Sequence, residues 1–361
     1  MNKKIIAIAI ATAMAAPVAM ADIKVSGQMG GALVDTETKV SDASGSISLN
    51  YRPIQEAGYS KLQFDMTSGG TGYARGGLSL KKGFQGGEPT LREAYFGVKG
   101  GWGSFQLGRM ASALKNLEKD PYISTFLQMR GSAAVPGDAT EQGSGFVNGL
   151  IQYSGKVGAV DLTVQMNPME NVQAPDAAND DAPVLNGVGP ELAKGSFEGM
   201  TAIAVSGKAG GVNLYAATAS WDTYACSPVT VIADELSACS AANTAVKNSY
   251  NKLGASMKFG AIKVSAQMGS QEWGTSDGDS LHIMANMGLG NGLSVNAVIG
   301  QSEIKNAGNP VKEEEDFMRV AVTKNISKNT NVFAGYSTSE WKQGTDKEET
   351  TQLGLGLQVK F

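Results

Sequence analysis

Few residues of this 361-residue chain could do covalent chemistry. His282 is the only histidine. A hydrolytic site would need a Ser–His pair and an orienting acid, and nothing in the sequence places a serine nucleophile beside it, so His282 is read as a water-facing side chain. Asp176, Asn179, Asp180 and Asp181 resemble part of a calcium loop, yet they lack its glycine and its terminal carboxylate. With Glu313, Glu314, Glu315 and Asp316 they read as an acidic, mobile surface, with weak binding of divalent or lipopolysaccharide-associated cations as the alternative. No phosphate-binding glycine loop, metal-ligand cysteine cluster or heptad run is present. No cofactor or metal is implied. What remains is electrostatic chemistry: charged side chains such as Lys61, Asp65 and Arg75, spaced to stand on one face of extended segments.

Those segments must be strands. From Thr351 to Phe361 the side chains alternate, with Leu353, Leu355, Leu357, Val359 and Phe361 on one parity and Gln352, Gly354, Gly356, Gln358 and Lys360 on the other. Successive strand side chains point to opposite faces, and about 9–11 residues carry a tilted strand across a bilayer. Similar runs recur, including Ile23–Met29, Lys61–Met66, Tyr73–Leu80, Arg92–Lys99 with Ser104–Arg109, Tyr250–Phe259 with Ile262–Gly269, and Asp316–Thr323 with Asn331–Thr338. Their tight connections carry Gly or Asn, which tolerate positive φ. The connections alternate with longer polar ones at 110–146, 167–198 and 222–249, and shorter ones at 270–279, 302–315 and 339–350.

The N-terminus reads as an export signal over residues 1–21. Lys3 and Lys4 precede an apolar stretch, and Ala19-Met20-Ala21 is a small-residue cleavage site, so the mature chain is expected to begin at Asp22. No later run is long enough for a spanning helix. The formal net charge is −4, and loss of two lysines makes it more negative, which argues against a nucleic-acid partner. In an oxidising compartment Cys226 and Cys239, in one long loop, are expected to form a disulfide that stabilises by about 3 kcal/mol.

Short turns at one rim and long loops at the other predict an all-β fold: a single transmembrane antiparallel up-and-down β-barrel over residues 22–361. Sixteen strands follow if Ser46–Tyr51 belongs to the first loop; counting it as a strand gives seventeen, and single-chain bacterial barrels are even. A soluble β-sandwich would lack the short/long alternation, and a β-helix would need a fixed repeat. Parity then sends Leu62, Phe64, Met66, Leu78 and Leu80 to lipid or a neighbouring subunit. Lys61, Gln63, Asp65, Arg75, Ser79, Lys81 and His282 turn inward. Arg109 falls on the outward face, where a charge costs roughly 2–4 kcal/mol near the midplane. It is therefore a candidate subunit contact, or else sits at headgroup level.

The stretch Ser60-Lys61-Leu62-Gln63-Phe64-Asp65, then Thr71-Gly72-Tyr73, then Arg92-Glu93-Ala94-Tyr95-Phe96-Gly97-Val98-Lys99-Gly100-Gly101-Trp102-Gly103-Ser104-Phe105-Gln106-Leu107-Gly108-Arg109 resembles the general, non-specific porins of Gram-negative outer membranes. With the terminal Phe361, which the family's barrel-assembly machinery would read, the resemblance covers most of the mature chain; the loops match poorly. It implies a sixteen-stranded homotrimer whose third loop, here 110–145, folds into the lumen. It implies passive diffusion of small hydrophilic solutes and ions in contact with outer-membrane lipid and lipopolysaccharide, without enzymatic activity. The family pattern turns Arg92 inward, completing a basic wall of Lys61, Arg75 and Arg92, and Glu93 outward. Loop carboxylates oppose the wall, with Glu118 and Asp120 as candidates and Asp138 and Glu141 behind them. The family's Arg in the strand after the third loop is missing near Phe146-Val147-Asn148, which leaves ion preference open, with Arg130 as possible compensation. A substrate-selective channel for an anion or organic acid, or a mainly structural or adhesive barrel, are the competing readings.

Overall fold

The computed structural model describes residues 21–52, 54–56, 60–80, 89–117, 120–122, 125–127, 145–168, 197–224, 245–274, 276–306 and 309–361. The chain forms one closed antiparallel sheet. Its segments are β1 (Ala21–Asp42), β2 (Gly45–Tyr51), β3 (Ile54–Glu56), β4 (Lys61–Ser68), β5 (Gly72–Ser79), β6 (Thr90–Gly100), β7 (Gly103–Ala111), β8 (Phe146–Val157) and β9 (Val160–Met166). They continue as β10 (Phe197–Ala209), β11 (Val212–Tyr224), β12 (Ala245–Phe259), β13 (Ile262–Trp273), β14 (Ser276–Gly290), β15 (Leu293–Asn306), β16 (Asn309–Asn325), β17 (Thr330–Gln343) and β18 (Asp346–Lys360). A short helix, α1 (Ala113–Leu117), follows β7.

From β4 onward each segment pairs with its successor, and β18 closes on β1 from Gln28–Lys360 to Ser41–Lys347. Closure is completed by the backbone of Phe361, which exchanges two hydrogen bonds with Gly27 at 2.9 and 3.0 Å. The eighteen segments make sixteen barrel strands, because β2, β3 and β4 all pair with the single long β1. Here the structure corrects one expectation. Residues 46–51 are not loop; they form the upper part of the second barrel strand, joined to β1 by a two-residue turn at Ala43-Ser44. The dilemma between sixteen and seventeen disappears, since that segment is a strand without adding to the count.

Three further connections expected as loops are also strand. The β13–β14, β15–β16 and β17–β18 pairs run on to two-residue connections at 274–275, 307–308 and 344–345. Apolar alternation stops where the wall leaves the lipid, but the ladder does not. Outward-facing charges carry it on: Lys312 bridges to Glu303 (2.9 Å) and Glu314, and Lys347 bridges Glu340 (2.5 Å) and Glu349 (2.6 Å). Glu313–Asp316 accordingly lie within β16 rather than on a mobile surface. Among the described residues no helix is long and apolar enough to cross a membrane; the strands do the crossing.

Exposure separates the two faces. Leu355 is 66% exposed, Leu353 60% and Phe96 60%, whereas Val34, Leu150 and Val298 on the inner face are at most 1% exposed. This is the inverted pattern of a wall with lipid outside and packed or watered side chains within.

Candidate functional site

The lumen is crossed by the chain itself. After β7, Ser112 starts α1: its hydroxyl accepts the Lys115 amide at 3.1 Å, the capping bond that helix starts use. Gln165 of β9, fully buried, holds this root at both ends of its amide. Its Oε1 accepts from the Ala113 amide (2.7 Å), and its Nε2 donates to the Ala111 carbonyl (2.9 Å) and to Gln152 Oε1 (2.6 Å). Leu114 then packs on Ala202 and Ala204 of β10 and Ala217 and Ala219 of β11. These alanines form two directly opposed pairs, Ala202–Ala219 and Ala204–Ala217, and leave the depth that a helix turn needs.

Ten residues later the chain is against the facing wall. Tyr122 and Leu127 are buried with Met284, Val298, Phe317 and Ala321 of β14–β16, and Phe126 lies 6.2 Å from the Phe333 ring. Tyr122 Oη donates to the Arg319 carbonyl at 2.6 Å, and Arg319 Nη1 donates to the Leu127 carbonyl at 2.8 Å. Burial pushes the Tyr122 hydroxyl above its usual range, so it remains a donor. Gly335 and Gly354 face this segment. A Cβ on Gly335 would meet Leu127 at 2.4 Å, and one on Gly354 would meet Phe126 at 2.8 Å.

On the wall of β4–β6, Lys61 Nζ donates to Gln63 Oε1 (3.3 Å), Gln63 Nε2 donates to Asp65 Oδ2 (2.6 Å), and Arg75 Nε pairs with Asp65 Oδ1 (2.6 Å). Arg75 also lies 5.7 Å from the Tyr95 ring centre. The third basic residue occupies a bulge. Gly77 pairs with Glu93 and Leu78 with Leu91, so Arg92 is the extra residue. A bulge interrupts the two-residue alternation. The bulge corrects the expected outward Glu93: its side chain lies 3.5 Å from where a Cβ on the buried Gly77 would stand, and its charge acts on Lys61 together with that of Arg92. The wall thus interleaves Lys61, Arg75 and Arg92 with Asp65 and Glu93.

Arg92 stacks on the Phe146 ring at 4.6 Å, and Lys115 of α1 approaches the same ring at 5.0 Å. Lys115 thus lies beside the start of β8, where the sequence has no arginine. Lys115 could not be found by strand parity. Arg319 could have been, since it shares the face of Phe317 and Ala321 against Met318, Val320 and Val322.

Asp120 is buried, accepts the Tyr122 amide at 2.8 Å, and interacts with the charge of Arg319. Glu118, Arg130, Asp138, Glu141, Cys226 and Cys239, and the acidic group at 176–181, lie outside the described residues. Arg109 is on the outer face, also at a bulge, where it donates to the Leu91 carbonyl (3.2 Å) and Asn148 Oδ1 (2.8 Å). His282 faces inward but is not solvated, being 2% exposed with the Phe317 ring edge-on at 5.3 Å. Its partner across the ladder, Gly300, leaves the space that the ring fills.

The Gram-negative porin family matches residues 7–358. The chain belongs to that family. Solved structures of the same fold include the anion-selective porin from Comamonas acidovorans (18% identity, TM-score 0.64, covering 95% of this chain and 100% of that one). A loop-deletion form of OmpT, an outer membrane protein of Vibrio cholerae, matches with 13% identity and TM-score 0.64 over 94% and 99% of the two chains. Salmonella typhi OmpF in complex with daunomycin gives 14% identity and TM-score 0.60 over 94% and 97%. Comparison with curated proteins gave no match. The porin is an outer-membrane β-barrel with a channel function.

Proposed function

We propose that this porin is a general diffusion channel in which residues 110–145 narrow the lumen and Lys61, Arg75 and Arg92 form the basic side of the constriction. The observation that carries the reading is the crossing of the lumen by Ser112–Leu127, held at Gln165 on one wall and Arg319 on the other. A segment so anchored at both ends sets a fixed size limit. Charged groups across the remaining gap orient polar solutes and penalise apolar ones. Asp120 and Glu118 are the acidic partners in this reading, with part of the Asp120 charge taken up by Arg319. Passage follows the gradient, with no covalent step, no enzymatic activity and no cofactor.

The porin works as a homotrimer in this proposal, as the trimer form of Vibrio cholerae OmpT does, with Arg109 on the outer face as a subunit contact. Residues 1–21 act as a cleaved export signal, and Cys226 and Cys239 close an external loop. Lipopolysaccharide contacts the outward charges above the apolar belt, and Phe361 is read during assembly. A second reading, selective passage of anions, is favoured by Lys115 beside the basic wall.

Refolded mature protein is expected to give large, linear currents in three equal steps in a planar bilayer. A silent barrel despite confirmed insertion would overturn the channel reading. Current that saturates with one anion would select the second. Neutralising Lys61, Arg75 and Arg92 together should move the reversal potential toward cation preference; no movement would remove these residues from the constriction.

A further inference from the structure

The rim with the short turns, which faces the periplasm in outer-membrane barrels, carries a repeated feature that the constriction does not use. Lysine occupies the next-to-last position of β6, β8, β10 and β12, the second position of β13 and the last of β18: Lys99, Lys156, Lys208, Lys258, Lys263 and Lys360. All six share the inward parity. Lys208 follows buried Ala202 and Ala204, Lys258 follows buried Lys252 and Ser256, Lys263 precedes buried Ser265 and Gln267, and Lys360 follows buried Gln358. Lys24 of β1, flanked by the outward Ile23 and Val25, adds a seventh.

Carboxylates do not balance this ring. Among the described residues the inward acids at the same rim are Asp22, Asp65, which stands opposite Lys24, and Asp161. Asp65 is held by Arg75, and Asp161 by Lys156 at 3.1 Å. Among the described residues, Lys99, Lys208, Lys258, Lys263 and Lys360 have no carboxylate partner. Lys258 and Lys263 moreover stand directly opposite each other in the β12–β13 hairpin. Like charges at directly opposed positions destabilise a strand pair, and a local rule broken without a compensating contact is expected where function requires it. Among the described residues, the inward charges far from this rim on β16 and β18 are acidic: Glu313, Glu315 and Glu348.

The basic mouth leads inward to a cavity of about 500 Å³. Lys263, Lys360, Asn286, Asn296, Asn331 and Gln358 line it, and it reaches Asp120 on the underside of the crossing segment. Apart from Asp120, its polar lining is neutral or cationic.

We propose that the periplasmic mouth is an antechamber that concentrates small anions, such as carboxylates, phosphate or sulfate, and makes conduction through the porin asymmetric. This rests on the diffusion-channel reading. Fixed positive charge at one mouth raises the anion concentration there whenever the screening length approaches the pore radius. Anions driven in through the lysine ring arrive pre-concentrated, whereas anions driven the other way meet Glu313, Glu315 and Glu348 before any such ring. Current is therefore larger in the first direction.

The test records single channels of the full mature porin in symmetric potassium chloride at both polarities. Rectification of about twofold is expected near ~0.02 M, where the screening length is about 20 Å, and should vanish near ~1 M, where it is about 3 Å. K208Q/K258Q/K263Q should abolish it, and K258E/K263E should reverse it. These side chains are exposed at strand ends, so folding is checked by the heat-modifiable gel shift rather than assumed. Symmetric current in the parent at low salt, or rectification untouched by either variant, would overturn the proposal while leaving the channel reading intact. Absence of any current from the folded trimer would overturn both.

Discussion

Tyr122 and Arg319 are joined through the backbone and the side chain together. The tyrosine hydroxyl donates to the arginine's carbonyl, and the arginine's guanidinium reaches past it to the carbonyl of Leu127. The crossing segment is thus fastened to β16 at two points five residues apart. Y122F removes one donor at a cost of about 1 kcal/mol, which is about a fivefold rise in the population of a loosened segment. Open-channel noise should increase and brief larger-conductance events should appear, with the barrel's thermal unfolding little changed. R319M should do the same more strongly, since it frees the Leu127 carbonyl and removes a positive charge that acts on Asp120. Unchanged noise in both variants would show that the segment is held by Gln165 and its apolar packing rather than by these two hydrogen bonds.

Strand alternation makes most of the barrel legible in the sequence. Thr351–Phe361, Tyr250–Phe259 with Ile262–Gly269 and the Gly-rich turns follow directly from two-residue periodicity and positive-φ chemistry. What stays hidden has two physical origins. Beyond the lipid both faces of a strand are polar, so β15–β16 and β17–β18 continue without an apolar signal, on ion pairs such as Lys347–Glu340. A bulge also lets neighbours share one face, so the family pattern, with Arg92 inward and strict alternation after it, turns Glu93 outward and makes the wall around Arg92 look purely basic. The anchoring by Gln165 and Arg319 joins residues far apart in sequence, and no local pattern announces it.

The interleaved acids of the basic wall give a prediction opposite in sign to neutralising its cations. D65N removes the partner of Arg75, and E93Q removes a negative charge that acts on Lys61. Each should move the reversal potential toward anion preference, and the double variant further than either. Both pairs sit beside water, so each shift should shrink as salt screens it. A cation-ward movement would mean that these carboxylates do not face the permeation path.

The β1–β2 hairpin rises above the apolar belt and turns on Asp42. Its Oδ1 accepts from the Ser44 hydroxyl at 2.5 Å and from the amides of Ser44 (2.7 Å) and Gly45 (3.0 Å). The Ser44 hydroxyl first, then these amides, hold the carboxyl below its usual range. A lowered folded-state pKa contributes stability that is present above the unfolded value of about 3.9 and lost as pH falls through the folded one. Amide exchange over residues 36–51 should therefore be slow at neutral pH and accelerate only in strong acid. D42A should exchange fast at both. Equal protection in the parent and D42A would show that the turn does not depend on the carboxylate.

Barrel closure gives the most direct packing test. Besides its two backbone bonds to Gly27, Phe361 lays its ring over that residue: a Cβ there would come within 2.4 Å of the ring and 2.8 Å of the Lys61 carbonyl oxygen. The ring could swing aside, but the carbonyl belongs to the neighbouring strand and cannot move without disturbing the β1–β4 ladder. G27V should therefore destabilise the folded barrel by about 1–3 kcal/mol, seen as a lower urea midpoint in detergent and a smaller heat-modifiable fraction. G76A on β5, where a Cβ meets nothing within 4 Å, is the matched control and should behave as the parent. F361A relieves the ring clash but not the carbonyl contact, so G27V/F361A should recover only part of the loss. Full recovery would place the whole constraint at Gly27 in the terminal ring.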